Sequence, residues 1–160
     1  MYVSFEQLPP QARIWIYQAD REFTPAEAIE IQDKIKAFVT YWSAHGKALL
    51  ASGELLHNRF IILGTDADVT APSGCSIDSS VQFIRELEQA YGVALFDRTH
   101  LAFRVNGAIE IHPLTEMPVV VASGKITAET PYFDNLVGEA GTLKNGWLKP
   151  AGESWLRKYF

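Results

Sequence analysis

The fold is decided first by the stretch Arg13-Ile14-Trp15-Ile16-Tyr17-Gln18 and by Thr24-Pro25-Ala26-Glu27 shortly after it. The first stretch alternates and is rich in β-branched and aromatic residues, which predicts a strand. The second is a capping box with proline at the first helical position, which predicts the start of a helix. Gly46 is placed to end this helix in a left-handed conformation. Apolar residues recur between these ends at helical spacing, at Ala28, Ile31, Ile35, Phe38 and Trp42.

A pair of strands and a second helix follow. Residues 48–56 and 59–63 read as strands that are joined by a tight turn at His57-Asn58. A loop rich in glycine, proline and polar residues comes next. Ser79-Ser80-Val81-Gln82 is a second possible capping box, with Asp78 as a competing cap, and predicts a helix from Val81 to Tyr91 that ends at Gly92.

A hairpin is predicted around Asn106-Gly107, between residues 101–105 and 108–112. A three-residue loop over 105–107 would pair Phe103 with Ile109 and Leu101 with Ile111, which places these apolar side chains on one face. We expect this register because burial of one face specifies strand pairing. Short helices are expected beyond the hairpin, over residues 115–122, 143–148 and 153–159.

The element order β-α-β-β-α-β predicts a single α+β domain over residues 1–160. It resembles the ferredoxin-like antiparallel sheet, here with an added hairpin strand and short C-terminal helices. In such a sheet the end of the first helix and the start of the second share one edge, which would make His45, Lys47 and Cys75 neighbours. The opposite edge would gather Asp20, Arg21, His57, Asp97 and Arg98.

Composition excludes several classes of function. A net charge of −5 and the lack of a lysine and arginine cluster argue against nucleic acid as a partner. The longest apolar runs, residues 60–63 and 119–122, are too short to span a bilayer, so we expect no membrane partner. The first residues lack a basic segment followed by an apolar one, which predicts a cytoplasmic protein without a signal peptide. One cysteine and four scattered histidines predict no metal and no cofactor.

The best candidate site surrounds the single cysteine, in Ser73-Gly74-Cys75-Ser76-Ile77-Asp78-Ser79-Ser80. The free amides of a helix start attract an anion, which makes Ser76, Asp78 and Ser79 candidate ligand-binding residues. The same amides would activate the Cys75 thiol, with His45 as its base. The structural alternative is a small buried residue beneath the loop.

Two Asp-Arg pairs form a second candidate. Asp20-Arg21 and Asp97-Arg98 each lie beside a predicted strand, so a crossed ion-pair network is the expected structural role. The functional alternative is an anion pocket in which Arg21 and Arg98 bind a carboxylate or a phosphate.

Two weaker features remain. Asp66 and Asp68 are a weak candidate for holding a hard cation. The aromatic C-terminal segment, residues 147–160, is expected to pack on its own domain, and a homodimer patch is the alternative.

Several of these stretches resemble a small family of uncharacterised bacterial proteins that are often labelled "ABC transporter ATPase". The resemblance rests on residues 13–21, 73–78 and 96–98, on Asn135-Leu136-Val137 and on Ser154-Trp155-Leu156. It covers nearly the whole chain, and it implies no catalytic residues.

The residues do not support ATP hydrolysis through a phosphate-binding loop. Such a loop needs two correctly spaced glycines followed by lysine and by serine or threonine. Gly141 and Gly146 have this spacing, but Trp147 and Leu148 occupy the lysine and hydroxyl positions.

Three functions stay open at this point. The first is a non-catalytic binding module for a small anionic ligand or a protein partner. The second is a cysteine-dependent enzyme that uses Cys75 with His45. The third is a homodimeric interaction protein.

Overall fold

The computed structural model describes residues 1–160, and the chain is a mixed α/β protein with four α-helices and antiparallel sheets. It forms two compact units. The first unit comprises Met1–Phe96 and Gly138–Thr142, and the second comprises Asp97–Val137 and Leu143–Phe160. The predicted single domain over residues 1–160 stays a prediction. None of the helices combines the length and the apolarity that a membrane-spanning segment needs.

The first unit contains a three-stranded sheet, a short hairpin and two long helices. In chain order its elements are β1 (Arg13–Gln18), α1 (Pro25–Tyr41), β2 (Ser43–Ala44), β3 (Lys47–Ala48), β4 (Ala51–Leu56), β5 (Phe60–Thr65) and α2 (Gly74–Tyr91). The antiparallel sheet has the order β1-β5-β4, and β2 pairs with β3. Every residue of β5 is buried, as expected for a central strand.

The second unit contains a four-stranded antiparallel sheet with the order β7-β6-β8-β9. Its elements are β6 (His100–Val105), β7 (Ala108–Pro113), α3 (Met117–Ala122), β8 (Pro131–Phe133) and β9 (Leu148–Pro150). A further helix, α4 (Ala140–Gly146), includes residues of both units. Short 3-10 helices cover Phe5–Gln7, Leu114–Glu116, Ala151–Glu153 and Trp155–Tyr159.

The specific ferredoxin-like arrangement is not confirmed. Strand β6, which was expected to complete the sheet of the first unit, pairs with β7 and β8 instead. The backbone beside β1 belongs to a different segment. Ile14 N–H donates to the carbonyl oxygen of Gly138 (3.0 Å), and Ala140 N–H donates to that of Ala12 (2.9 Å). These bonds satisfy edge groups of β1 without a fourth full strand.

Helix α1 begins as predicted but ends earlier. The Thr24 side chain accepts a hydrogen bond from Glu27 N–H, and the Glu27 side chain accepts one from Thr24 N–H, which completes the capping box. The helix ends at Tyr41, so the prediction that Gly46 ends it is wrong. His45 and Gly46 have φ angles of 52° and 76° and form the turn between β2 and β3. Two successive positive φ angles suit a tight hairpin turn.

Helix α2 begins earlier than predicted, at Gly74. The Ser73 hydroxyl accepts a hydrogen bond from Ser76 N–H (3.1 Å), and the Ser76 hydroxyl accepts one from Ser73 N–H (2.7 Å). The predicted caps Ser79 and Asp78 are therefore wrong, because the reciprocal bonds of a capping box form at Ser73. The helix ends before Gly92, whose φ of 62° confirms the predicted left-handed end.

The hairpin of the second unit has a two-residue turn, so the predicted three-residue loop is wrong. Phe103 pairs with Glu110, and Ile109 pairs with Arg104. Asn106 and Gly107 have φ angles of 52° and 78°, which is the backbone that a two-residue turn requires. Burial does not oppose this register, because Leu101, Ala102 and Phe103 are all buried and both faces of β6 are therefore covered.

The C-terminal residues pack within the second unit. Its core contains side chains from β6, α3, β8, the last two 3-10 helices and the loop after α3: Leu101, Phe103, Met117, Val120, Ile126, Tyr132, Ala151 and Leu156. Trp155 and Tyr159 pack against this core. The short helix over 115–122 is close to α3. The helix predicted over 143–148 instead corresponds to α4 followed by β9, because Leu148–Pro150 pairs with β8.

Candidate functional site

At the first turn of α2 the cysteine is accessible to solvent, whereas the serine hydroxyls around it are hydrogen-bonded to the backbone. Cys75 is an exposed free thiol. Ser76 is buried, and its hydroxyl bonds to the backbone of Ser73 as both donor and acceptor. The Ser79 hydroxyl donates to the Ser76 carbonyl oxygen (2.8 Å), and Asp78 is exposed. These hydroxyls therefore stabilise the start of α2. Because Cys75 is exposed, the alternative that it is a small buried residue beneath the loop is wrong.

The structure brings the segment after α1 to the start of α2. Trp42 Nε1–H donates to the carbonyl oxygen of Ser76 (2.8 Å), and α2 contacts β2. His45 and Cys75 both lie in this part of the first unit and both are exposed. No hydrogen bond joins the imidazole to the sulfur. The hypothesis of a cysteine-dependent enzyme with His45 as base stays a prediction.

The guanidinium of Arg21 is engaged by the protein itself. Its two terminal nitrogens donate to the two carboxylate oxygens of Glu27 (2.8 and 2.9 Å). It also donates to the carbonyl oxygens of Tyr91 (2.7 Å) and Glu22 (3.1 Å). This bidentate pair connects the residues after β1 to α1 and to the end of α2. A ligand at Arg21 would have to replace these bonds.

The Arg21–Glu27 pair predicts a pH-dependent stability. Hydrogen bonds from Arg21, and then from the Thr24 backbone, lower the pKa of Glu27 to about 2 from 4.5. The unfolded chain takes up this proton first as the pH falls, so stability from the ionised carboxylate is present above pH 4.5 and is lost towards pH 2. We expect the free energy of unfolding of Glu27→Gln to fall less steeply between pH 4.5 and pH 2 than that of the unmodified protein. Urea denaturation at several pH values measures this difference.

The matched control for this prediction is Glu86→Gln. It removes an exposed carboxylate of α2 that forms no ion pair. We expect it to leave the pH dependence close to that of the unmodified protein. Equal pH slopes for Glu27→Gln and the unmodified protein would show that the Arg21–Glu27 pair does not stabilise the fold.

The aspartates of the two Asp-Arg pairs each accept hydrogen bonds within their own unit. Asp20 accepts a hydrogen bond from Ala94 N–H (3.0 Å). Asp97 accepts bonds from the backbone N–H (2.8 Å) and hydroxyl (2.6 Å) of Thr99, which lower the pKa of Asp97. Nδ1 of His100 lies 2.7 Å from the other oxygen of Asp97. Both aspartates are thus bonded within their own units, and the crossed ion-pair network stays a prediction. Arg98 is exposed in the second unit.

Asp66 and Asp68 form a structural turn after β5. Asp66 accepts a hydrogen bond from Asp68 N–H (3.0 Å), and Asp68 accepts one from the Gln11 side chain (3.1 Å). No cluster of three or more histidine, cysteine, aspartate or glutamate side chains is arranged to hold a metal ion. These two carboxylates order the loop that leads to α2.

A cleft of about 340 Å³ lies in the second unit, at residues for which the sequence predicts no site. It is lined by residues that follow β8 and by residues of β9 and the last two 3-10 helices: Asp134, Lys149, Gly152, Glu153, Ser154, Trp155 and Arg157. Pairing of β8 with β9 brings Asp134 and Lys149 together, and Lys149 Nζ lies 3.0 Å from Asp134 Oδ2. This volume is at the lower end of the range for small-molecule sites.

The other charged residues of this cleft, Glu153 and Arg157, are exposed and unpaired. Neither side chain forms a hydrogen bond or an ion pair. They have opposite charges and line the same cleft, but they are not bonded to each other. The cleft therefore offers one unpaired anion and one unpaired cation beside a closed ion pair.

Trp155 forms the aromatic wall of the cleft, and its polar indole N–H is already hydrogen-bonded within the protein. Trp155 is half-buried, and its Nε1–H donates to the phenol oxygen of Tyr132 (3.1 Å). Burial raises the pKa of Tyr132 to about 12, so this phenol stays protonated at neutral pH. The remaining surface of Trp155 is apolar.

The sequence carried a weak signal for this cleft. Lys149, Glu153 and Arg157 bring charges of both signs close to Trp155 in the sequence, in a segment that Pro150 and Gly152 keep from forming a long helix. From the sequence, Trp155 is expected to pack on its own domain or to belong to a homodimer patch. Asp134 could not be assigned to this group, because its place beside Lys149 depends on the pairing of β8 with β9.

No family model matches the chain, and neither a curated protein nor a solved structure matches it. The resemblance to bacterial proteins labelled "ABC transporter ATPase" therefore stays a prediction.

Proposed function

We propose that the protein is a non-catalytic binding module whose second unit holds a small ligand with an anionic group. The observation that carries this proposal is the cleft that contains both Lys149 and the unpaired Arg157. A guanidinium forms strong, paired hydrogen bonds with carboxylate and phosphate groups. Arg157 has its donors free for such a group, whereas the donors of Arg21 are bonded to Glu27 and to carbonyl oxygens.

The residues at the start of α2 support this proposal less well. The hydroxyls of Ser76 and Ser79 are bonded to the backbone, and Asp78 adds a negative charge to the first turns. An anion at this position would meet repulsion from that carboxylate. Ligand binding by Ser76, Asp78, Ser79, Arg21 and Arg98 stays a prediction.

The proposal is tested by replacing Arg157. We expect 4-methylpentanoate and inorganic phosphate, titrated calorimetrically into the full chain, to show at least one measurable affinity. Arg157→Ala is expected to weaken it by about tenfold, because the charge-assisted hydrogen bonds are lost. Arg157 is exposed and its side chain forms no bonds, so the variant is expected to fold normally.

The matched control is Arg98→Ala, which removes another exposed arginine of the second unit that does not line the cleft. We expect it to leave the affinity unchanged. The proposal is overturned if neither probe binds. It is also overturned if Arg98→Ala weakens binding and Arg157→Ala does not, which would favour the anion pocket inferred from sequence.

We infer a cytoplasmic location, since the single exposed cysteine has no partner within the chain and stays reduced in that compartment. We also infer that the sheet order β1-β5-β4 with α1 and α2 is a ferredoxin-like arrangement that lacks its last strand.

A further inference from the structure

We infer that the cleft of the second unit binds a zwitterion, with its anionic group at Arg157, its cationic group at Glu153 and an apolar body against Trp155. This inference rests on the proposed function, because it names the class of ligand for the same cleft. It adds the requirement that the ligand carries a positive charge, which would form an ion pair with the Glu153 carboxylate.

The charges of the cleft carry the argument. Two carboxylates and two cations line it, so a purely anionic ligand would gain from Arg157 but would also meet Asp134 and Glu153. The charges of Lys149 and Asp134 already compensate each other, because Lys149 Nζ lies 3.0 Å from Asp134 Oδ2. The remaining charges, on Glu153 and Arg157, have no partner. A ligand with one charge of each sign satisfies both of them.

The Trp155 wall and the volume of the cleft further restrict the class of ligand that it can bind. The indole N–H of Trp155 is bonded to Tyr132, so the part of this side chain that faces a ligand offers apolar contact. A cleft of about 340 Å³ suits a molecule of the size of an amino acid or a dipeptide. A free amino acid with an apolar side chain combines the carboxylate, the ammonium and the apolar body.

The experiment compares three probes that differ only in their charged groups. L-Leucine carries both charges, 4-methylpentanoate lacks the ammonium group, and 3-methylbutylamine lacks the carboxylate. Affinities for the full chain are measured from changes in amide chemical shifts during titration. We expect L-leucine to bind about tenfold more tightly than either analogue, because each charged group adds a charge-assisted hydrogen bond. The shifts are expected at residues 149–157.

Glu153→Gln separates this inference from the proposed function. We expect it to remove the advantage of L-leucine over 4-methylpentanoate and to leave the affinity for 4-methylpentanoate equal or higher. Glu116→Gln, which replaces an exposed glutamate outside the cleft, is expected to preserve that advantage.

The outcomes are distinguishable. If 4-methylpentanoate binds as tightly as L-leucine, the zwitterion is overturned and the anion-binding module stands. An advantage of L-leucine that survives in Glu153→Gln overturns the role of Glu153. If none of the three probes and no phosphate binds, both the inference and the proposed function are overturned.

Discussion

Trp42→Ala is expected to reduce the free energy of unfolding by about 3–5 kcal/mol. Trp42 is 2% exposed and packs against Trp15 and Phe38, with ring centres 5.8 and 5.3 Å away. Its indole N–H also donates to the Ser76 carbonyl oxygen at 2.8 Å. The truncation therefore removes a large buried ring and one buried hydrogen bond, while the Ser76 carbonyl oxygen still accepts from the Ser79 hydroxyl.

Trp42→Phe separates the two contributions. It retains most of the ring and removes the N–H donor, so we expect a smaller loss of roughly 1–3 kcal/mol. Urea denaturation measures both losses, and hydrogen exchange of the first-turn amides of α2 reports the lost bond to Ser76. Tyr41→Ala is the matched control, because this neighbouring aromatic is 84% exposed. A loss for Trp42→Ala as small as that for Tyr41→Ala would refute the structural role of Trp42.

Gly53→Ala is expected to destabilise the protein by about 1–3 kcal/mol through overpacking. Gly53 lies in the middle of β4, where α1 packs on the sheet. A Cβ atom at this position would overlap Ile35 Cγ2 and lie 2.9 Å from Val39 Cγ2 and 3.1 Å from Leu63 Cδ2. These side chains are buried and closely surrounded, so they cannot move away without displacing α1.

Gly138→Ala is the matched control for Gly53→Ala. A Cβ atom at Gly138 meets no other atom within 4 Å, and its φ is not positive. We expect this variant to stay within about 0.5 kcal/mol of the unmodified protein in chemical denaturation. A stability of Gly53→Ala that equals that of Gly138→Ala would show that α1 and β4 have room for the methyl group.

The elements that the sequence predicts well depend on groups only a few residues apart. Thr24 and Glu27 form their capping box within one turn of α1, and Gly92 ends α2 through its own φ angle. Strand β1 has the predicted bounds because its alternation is local as well. Each of these signals acts through hydrogen bonds or backbone sterics that do not need a distant partner.

The elements predicted less well involve a choice between equivalent local signals. Ser73, Asp78 and Ser79 are all suitable caps, and Ser73 is the one used. The bond from Trp42 to Ser76 lies across the first unit and stabilises the helix start at this position. Gly46 is a suitable helix end, but it forms a hairpin turn because β2 and β3 pair on either side of it. Contacts that are distant in sequence decided both cases.

The candidate site shows the same division. The sequence identified Cys75 and Arg21 as chemically capable residues, and the structure places Cys75 at the surface and Arg21 in a bond with Glu27. The cleft around Trp155 and Arg157 was missed, since its walls meet only through the pairing of β8 and β9. Burial and strand pairing decide which of the polar side chains line a common cleft.

The amino-acid sequence by itself determined where α1 starts, where α2 ends, the bounds of β1 and the position of the turn at Asn106-Gly107. These features follow from backbone geometry and hydrogen bonds between near neighbours. Tertiary structure alone decided that β6 joins the sheet of the second unit, how the hairpin is registered, and that Glu153 and Arg157 share a cleft without pairing. The physical reason is that strand pairing and the burial of apolar surface depend on contacts between segments far apart in the chain. A local sequence pattern does not determine the free energies of these contacts.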